Sequence, residues 1–247
     1  MRLKDKVAIV TGGGSGFGEG IVRKFAAEGA KVIVADRDAQ AAERVAASVG
    51  SAARAVTADV SVDADVARMV KSSEQFGALD ILVNNAGIGH LPQPLEALDE
   101  KTFDQVLAVN VKSIYLAARH VVPLFKQRKK GVILNIASTA GVSPRPNLTW
   151  YNSSKGWVIT ATRSMAVELA PSGIRVNALN PVAGDTPLLK TFMGSDTPEI
   201  RAKFLSTIPL GRFSTPEDIA NAAAFLCSDE ASMITGVAVE VDGGRCI

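Results

Sequence analysis

Short apolar runs alternate with longer amphipathic stretches along the whole chain, and this alternation constrains the fold more than any other feature. The runs carry few polar residues at alternate positions, which is typical of strands covered on both faces of a parallel sheet. The predicted strands are Val7–Val10, Lys31–Ala35, Ala53–Ala58, Leu79–Val83, Val132–Ile136, Ile174–Leu179 and Val237–Val241. The predicted helices are Ile21–Glu28, Ala39–Val49, Asp63–Gln75, Asp99–Lys129, Tyr151–Leu169 and Pro216–Cys227. The pattern therefore predicts an α/β fold, a doubly wound parallel β-sheet with helices on both faces.

The chain shows no linker, internal repeat or low-complexity segment over its 247 residues, which favours a single domain, 1–247. Residues 182–210 form an exception to the alternation because they are rich in proline and glycine. We interpret this stretch as an insertion over the edge of the sheet, where it would act as a substrate lid.

Charge and composition argue against several classes of function. The 27 basic and 25 acidic residues give a net charge of +2, and the one basic run, 126–130, lacks the interleaved aromatic residues typical of nucleic-acid binding. Cys227 and Cys246 form no CxxC motif or Cys/His cluster, so no metal site is predicted. No apolar run has the length of a membrane span, and residues 1–6 lack the apolar core of a signal peptide. We therefore expect a cytoplasmic protein with no nucleic-acid or membrane partner.

A glycine cluster, Thr11–Gly18, stands between the first predicted strand and the first predicted helix. Glycine lets the backbone approach a pyrophosphate closely, and a helix N-terminus offers that group unpaired N–H groups and the positive end of its dipole. The cluster predicts a dinucleotide site, the alternative being a plain glycine-rich turn. The candidate cofactor-binding residues here are Gly12, Ser15, Gly16, Phe17 and Gly18.

Asp36 lies at the end of the second predicted strand, where a carboxylate accepts hydrogen bonds from the adenosine ribose hydroxyls and repels a 2′-phosphate. This favours NAD over NADP, although Arg37 softens the repulsion and leaves NADP open. The alternative role for Asp36 is the N-cap of the second helix, for which Asp38 is better placed. Further cofactor-binding candidates after the third and fourth strands are Asp59, Val60, Asn85, Ala86 and Gly87. The alternative for Asp59 and Val60 is a cap near the third helix, and the alternative for Asn85, Ala86 and Gly87 is a simple Asn-Gly-type turn.

Four polar residues are candidates for the chemistry. Tyr151 and Lys155 are four positions apart at the start of a predicted helix, so both lie on one face, where an ammonium favours the phenolate of the tyrosine. Ser138 follows the fifth strand and can donate a hydrogen bond to a substrate oxygen, while Asn110 needs a polar partner within its apolar surroundings. Such a set can exchange a proton with an alcohol or ketone. Taken singly, these side chains also suit a loop serine, a surface tyrosine and a solvated lysine.

These residues together resemble the short-chain dehydrogenase/reductase family in its conventional form, over the whole chain. Thr11–Gly18 resembles the family's TGxxxGxG motif, Asn84–Gly87 its NNAG, and Tyr151–Lys155 its YxxxK. Asn180, Pro181 and Thr186 resemble the stretch that lies near the nicotinamide, with Val182 in place of the usual glycine. The resemblance implies a Rossmann-like fold, an NAD(P) cofactor and, as the usual assembly, a homotetramer.

The resemblance also implies roles for the four candidates. Tyr151 would be the acid/base, and Lys155 would lower its pKa and hold the nicotinamide ribose. Ser138 would orient the substrate oxygen, and Asn110 would support a proton relay through water. Two departures from the family are Phe17, where Ile or Leu is usual, and Gly156, where alanine is common.

The expected substrate is a small or medium-sized hydrophobic secondary alcohol or ketone, since the candidate pocket residues are mostly apolar. They are Ala140, Val142, Pro144, Leu148, Leu188, Leu189, Phe192 and Met193. Arg145 is the one charge near them, and it either binds a carboxylate or phosphate or faces water. Reduction of 3-oxoacyl groups on an acyl carrier protein and oxidation of a sugar or polyol are the alternatives. A non-catalytic cofactor-binding regulatory protein is a more distant one.

Overall fold

The computed structural model describes all 247 residues. Its strands are β1 (Val7–Thr11), β2 (Lys31–Asp36), β3 (Ala53–Thr57), β4 (Ile81–Asn84), β5 (Gly131–Ile136), β6 (Ile174–Pro181) and β7 (Ala238–Val241). Its α-helices are α1 (Gly16–Ala27), α2 (Ala39–Val49), α3 (Asp63–Ser72), α4 (Glu100–Leu107), α5 (Ser113–Arg128), α6 (Thr149–Leu169), α7 (Leu188–Met193), α8 (Pro198–Leu205) and α9 (Pro216–Cys227). No helix combines the length and apolar character that crossing a membrane requires.

The seven strands form one all-parallel sheet in the order β3-β2-β1-β4-β5-β6-β7. Successive residues of β1 enter opposite cores: Ala8 packs with Phe25 of α1 on one face, and Ile9 packs with Phe125 of α5 on the other. A strand buried on both faces needs apolar side chains at every position, which explains the runs in the sequence. The predicted doubly wound parallel sheet is confirmed.

The strand order reverses between β1 and β4, which lie side by side at the centre of the sheet. Loops that follow neighbouring strands diverge at such a point, and a crevice opens at the carboxyl ends of the strands. The turns after β1, β4 and β5 therefore meet at one edge.

Several element boundaries differ from the sequence predictions. Helix α1 begins at Gly16 rather than Ile21, because its first turn consists largely of glycine and gives no apolar periodicity. The stretch predicted as one helix over Asp99–Lys129 is α4 and α5 joined by a π-helical turn, Ala108–Lys112. Residues 182–210 contain two short helices, α7 and α8, that were not predicted.

Candidate active site

A cleft of about 470 Å³ lies along the carboxyl ends of the strands. Sixteen of the predicted cofactor-binding residues line it: Gly12, Ser15, Gly16, Phe17, Asp36, Arg37, Asp59, Val60, Asn85, Ala86, Gly87, Tyr151, Lys155, Pro181, Val182 and Thr186. Ser138 lines it too, whereas Gly18 and Asn110 do not. The sequence therefore identified the residues of one continuous cleft, although they are spread over most of the chain.

The turn between β1 and α1 leaves backbone donors free. Ser15 is the N-cap residue of α1 but makes no side-chain capping bond, and the amides of Gly16 and Phe17 have no partner within the chain. Unpaired amides at a helix N-terminus form an anion site. The turn thus fits the pyrophosphate of a dinucleotide.

Thr11 and Asn85 connect this turn to the loop after β4. The Thr11 hydroxyl accepts hydrogen bonds from the amides of Asn85 and Ala86, both at 3.0 Å. The Asn85 side chain donates to the carbonyl oxygens of Thr11 at 2.8 Å and Gly12 at 3.1 Å. The Asn85 amide group is therefore engaged in holding the two loops together, a role that the sequence analysis did not assign to it.

Gly18 lies behind the cleft and not on its surface. A Cβ atom there would lie 2.0 Å from the carbonyl oxygen of Gly12 and 2.5 Å from the Asn85 side-chain nitrogen. Such contacts are far inside van der Waals distance, so only glycine fits at this position. Gly18 allows α1 to pack against the turn, and its predicted role in cofactor binding stays a prediction.

The Asp36 carboxylate lies beside the glycine turn and is held there by backbone donors. The Gly14 amide donates to one of its oxygens at 2.9 Å, and the Asp38 amide donates to the other at 3.0 Å. The N-cap of α2 is Asp38, which accepts from the Ala41 amide. Asp36 is therefore not the cap, and its fixed carboxylate lines the cleft beside Arg37, which is exposed and forms no ion pair.

Asp59 and Val60 line the cleft just beyond β3. The Asp59 carboxylate accepts hydrogen bonds from the amide and the hydroxyl of Ser61. The N-cap position of α3 is occupied by Val62, so Asp59 is not its capping residue. Its location on the Asp36 side of the sheet still suits contact with an adenine ring.

Tyr151 and Lys155 lie on the first turns of α6 and are 6 % and 5 % exposed. Burial raises the pKa of Tyr151 to about 12, and a hydrogen bond with Ser138 partly opposes this shift. Burial also lowers the pKa of Lys155 to about 8, since desolvation disfavours its ammonium form. The lowering of the Tyr151 pKa by Lys155, which the resemblance implies, is not among these effects.

The orientation of Lys155 explains that difference. Its Nζ atom donates to the Ile136 carbonyl oxygen at 2.9 Å and lies 5.9 Å from the centre of the Tyr151 ring. A side chain at Gly87 would place its Cβ 3.3 Å from the same nitrogen. The ammonium therefore faces the turn after β4, where a nicotinamide ribose is expected.

Asn110 lies in the π-helical turn and connects two other parts of the site. Its side-chain oxygen accepts from the Ile88 amide, and its side-chain nitrogen donates to the Ile88 carbonyl oxygen, both at 2.9 Å. The same nitrogen donates to the Ser154 hydroxyl at 3.0 Å. The polar partners that its burial demands are thus the backbone after β4 and helix α6, and the proton relay through water stays a prediction.

The substrate end of the cleft is mostly apolar, in part as predicted. Ala140, Leu148, Leu188, Leu189 and Phe192 line it. Val142 and Pro144 are exposed outside the cleft and Met193 packs beneath it, so these three predictions were wrong. Ile88, Val109, Pro187 and Phe204 line the cleft without having been predicted. No sequence signal indicated these four residues, because they are distant from α6 in the chain and no local pattern links them to it.

Arg145 lines the cleft as well, rather than facing water. Its guanidinium group stacks 4.2 Å from the centre of the Phe204 ring. The Phe192 ring packs against the Tyr151 ring with 4.7 Å between centres. Residues of the segment 182–210 therefore contact the cleft directly, as the lid interpretation requires, although its movement stays a prediction.

Comparison with known proteins gives consistent matches over nearly the whole chain. Residues 12–245 match the sequence model of a family described as enoyl-(acyl carrier protein) reductase. The chain is 50 % identical to the 4-formylbenzenesulfonate dehydrogenase TsaC1/TsaC2 of Comamonas testosteroni, over 100 % of both chains. It is 42 % identical to 2-(S)-hydroxypropyl-CoM dehydrogenase 3 of Xanthobacter autotrophicus, over 98 % of this chain and 97 % of that one.

Among solved structures, the chain is similar to a 3-ketoacyl-(acyl-carrier-protein) reductase from Brucella melitensis complexed with NADH. The sequences are 55 % identical, the TM-score is 0.95, and the match covers 99 % of this chain and 100 % of that one.

Proposed function

The chain belongs to the short-chain dehydrogenase/reductase family, and we propose that it uses NAD(H) to interconvert a secondary alcohol and a ketone, with Tyr151 as acid and base. The observation that carries the proposal is the position of the buried Tyr151, which lines the same cleft as Ser138, Lys155 and the glycine turn. A proton donor and a dinucleotide site thus share one cavity.

Each polar side chain has a defined part in the proposed reaction. A Tyr151 pKa of about 12 keeps the phenol protonated at neutral pH, so it can donate its proton to a ketone oxygen. Ser138 donates a second hydrogen bond to that oxygen and fixes its distance from the phenol. Lys155 would hold the cofactor ribose, since its ammonium faces the turn after β4. NAD(H), when bound, accepts or supplies the hydride.

Substrates of the relatives support this reaction class. 2-(S)-hydroxypropyl-CoM dehydrogenase 3 is named for a secondary alcohol, which is the class proposed here, whereas TsaC1/TsaC2 is named for an aldehyde. Reduction of a 3-oxoacyl group on an acyl carrier protein is the second candidate, favoured by the Brucella melitensis structure of that name. Oxidation of a sugar or polyol fits less well because the substrate end of the cleft is mostly apolar.

The test of the function is a direct comparison of substrates. With NADH, we expect faster turnover of small aryl or alkyl ketones than of acetoacetyl-coenzyme A, a soluble stand-in for the carrier-bound substrate. The decrease in NADH absorbance with time measures the rates of both reactions. Preference for the thioester would favour the second candidate, and turnover of neither, with NADH bound, would contradict both proposals.

We propose NAD rather than NADP as the preferred cofactor because Asp36 is fixed at the adenosine end by two backbone amides. The substitution Asp36→Asn keeps the shape of the side chain and removes its negative charge. We expect NADH to bind about tenfold more weakly, since hydrogen bonds to a charged acceptor contribute ~1.5–3 kcal/mol each, while NADPH binds more tightly. Titration of cofactor fluorescence measures both affinities.

A matched control for that experiment is Asp38→Asn, which removes a neighbouring carboxylate that caps α2 and does not line the cleft. It should leave the ratio of the two affinities unchanged. If the unmodified protein prefers NADPH, the charge of the unpaired Arg37 outweighs that of Asp36 and the proposed preference is wrong.

A homotetramer and a cytoplasmic location stay predictions from the resemblance and the sequence. Exposed apolar side chains on α5 and α6 support the assembly: Leu124 is 41 % exposed, Trp157 is 42 % exposed and Val167 is 80 % exposed. Large apolar side chains on neighbouring helices favour burial against another subunit. Light scattering in solution would test this.

A further inference from the structure

Arg145 is a cation without a counter-charge at the substrate end of the cleft. Its guanidinium group forms no ion pair, and its one polar contact is a 3.5 Å hydrogen bond to the Thr207 hydroxyl. The Phe204 ring covers one face of the group at 4.2 Å. A half-buried guanidinium normally satisfies its five N–H donors, so most of these donors remain available to a ligand.

A second arginine increases the positive potential at this place. Arg245 donates to the Ser143 hydroxyl at 3.0 Å, and its buried Nε atom has no hydrogen-bond partner. It forms no ion pair either. Burial first, and then the charge of Arg245, lower the pKa of Arg145. Arg245 does not line the cleft, but a second cation that has no carboxylate partner adds to the positive potential that Arg145 presents there.

The nearest acidic side chains do not supply that anion. The acidic residues that line the cleft, Asp36 and Asp59, are at its adenosine end. The Asp242 carboxylate accepts from the amides of Gly244 and Cys246 and pairs with neither arginine. The positive charge of Arg145 is therefore directed at the cavity and at whatever occupies it.

The backbone of Arg145 is fixed relative to the reacting end of the cleft. The Asn152 side chain donates to the Arg145 carbonyl oxygen at 2.8 Å, and Asn152 is the neighbour of Tyr151 on α6. This hydrogen bond connects the loop that carries Arg145 to helix α6. Arg145 and Tyr151 line the same cavity. A ligand held at Arg145 has a defined reach to the Tyr151 hydroxyl across the apolar side chains of Leu148, Leu188 and Phe192.

We propose that Arg145 binds a carboxylate or sulfonate at the end of the substrate that is remote from the reacting carbon, so that the substrate is an anionic alcohol or ketone with an apolar middle. This inference rests on the proposed function and specifies its substrate class. A planar guanidinium binds such anions through two parallel hydrogen bonds, and the Phe204 ring keeps its plane in one orientation.

The test measures binding without turnover. NADH and an alcohol are both reduced, so their complex with the protein cannot react. The probes are 4-(1-hydroxyethyl)benzoate, 4-(1-hydroxyethyl)benzenesulfonate and the neutral 4-(1-hydroxyethyl)benzamide, titrated into the NADH complex and followed by cofactor fluorescence. We expect the two anions to bind about 10- to 100-fold more tightly than the amide, as for hydrogen bonds between charged groups. The anion that binds more tightly shows whether the site prefers a carboxylate or a sulfonate.

Variants assign that preference to Arg145. Arg145→Gln should abolish the difference between anion and amide, and Arg145→Lys should restore part of it, because it keeps the charge and loses the paired geometry. The control Arg68→Gln removes an exposed arginine of α3, remote from the cleft, and should leave the difference intact. Equal binding of anion and amide in the unmodified protein, or an unchanged preference in Arg145→Gln, would overturn the inference.

Failure of the proposed function gives a different result. If neither the anionic alcohols nor the neutral amide bind the NADH complex and no ketone, anionic or neutral, is reduced, the oxidoreductase assignment of the cavity is wrong and the inference falls with it. If neutral ketones are reduced while Arg145→Gln changes nothing, only the role of Arg145 is wrong.

Discussion

Replacing Tyr151→Phe should lower kcat for ketone reduction about 10²- to 10⁴-fold, the usual contribution of a positioned acid or base. The Tyr151 phenol lines the cleft together with Ser138, and phenylalanine keeps the ring that packs against Phe192. The decrease in kcat should therefore come from the proton-transfer step, and the fold should be unchanged. Steady-state kinetics with NADH and a small ketone measures kcat.

Binding should separate this effect from damage to the cofactor site. The variant loses at most one neutral hydrogen bond to a cofactor, worth ~0.5–1.5 kcal/mol, so NADH affinity should fall less than about tenfold. The chain contains one other tyrosine, Tyr115, which is 56 % exposed on α5, and Tyr115→Phe serves as the matched control. Turnover by Tyr151→Phe close to that of the control would show that another group moves the proton.

Gly18→Ala should destabilise the protein by at least about 3 kcal/mol, the upper part of the range for overpacked cores. Its Cβ would lie 2.0 Å from the Gly12 carbonyl oxygen, and neither α1 nor the turn can move away without disturbing Asn85. For a chain of this size the midpoint of thermal unfolding should fall by about 6–12 °C. Folded protein that remains should turn over its substrate about 10²-fold more slowly, because misplacement of a site by ~1 Å lowers reaction rates by about this factor.

Gly156→Ala is the matched control, since it makes the same change in another helix. The nearest atom to a Cβ at Gly156 is 3.8 Å away, which is ordinary contact. Alanine is the better helix former, so this variant should gain ~0.5–1 kcal/mol. Thermal and urea unfolding of both variants measures the difference, and equal stabilities would contradict the packing argument at Gly18.

The sequence predicted the topology well because parallel strands carry their own signal. A strand that is buried on both faces requires a continuous apolar run, as β1 and β5 show. The cleft followed from that topology, since residues that end neighbouring strands meet at one edge. Prediction failed where helices begin with residues of no periodicity, as at Gly16 of α1, or where a helix widens locally, as around Asn110.

Partners distant in the chain were beyond the reach of sequence reasoning. Nothing near Asn85 indicates that its amide group bonds to Thr11, 74 positions away. The same holds for Arg145, whose orientation depends on Phe204 of α8 and on Asn152. Local spacing identifies which residue types can do chemistry, whereas the direction of a side chain is decided by packing between elements.

The cleft has two walls of different origin. Tyr151, Lys155 and the glycine turn lie on β1, α1 and α6, whose side chains enter the cores on both faces of the sheet. The facing wall, with Leu188, Phe192 and Phe204, belongs to the short helices of segment 182–210. Exchange of that segment in evolution would alter which molecules are accepted while the proton donor stays in place. Selectivity and chemistry would then be inherited separately, which fits relatives of similar sequence that are named for different substrates.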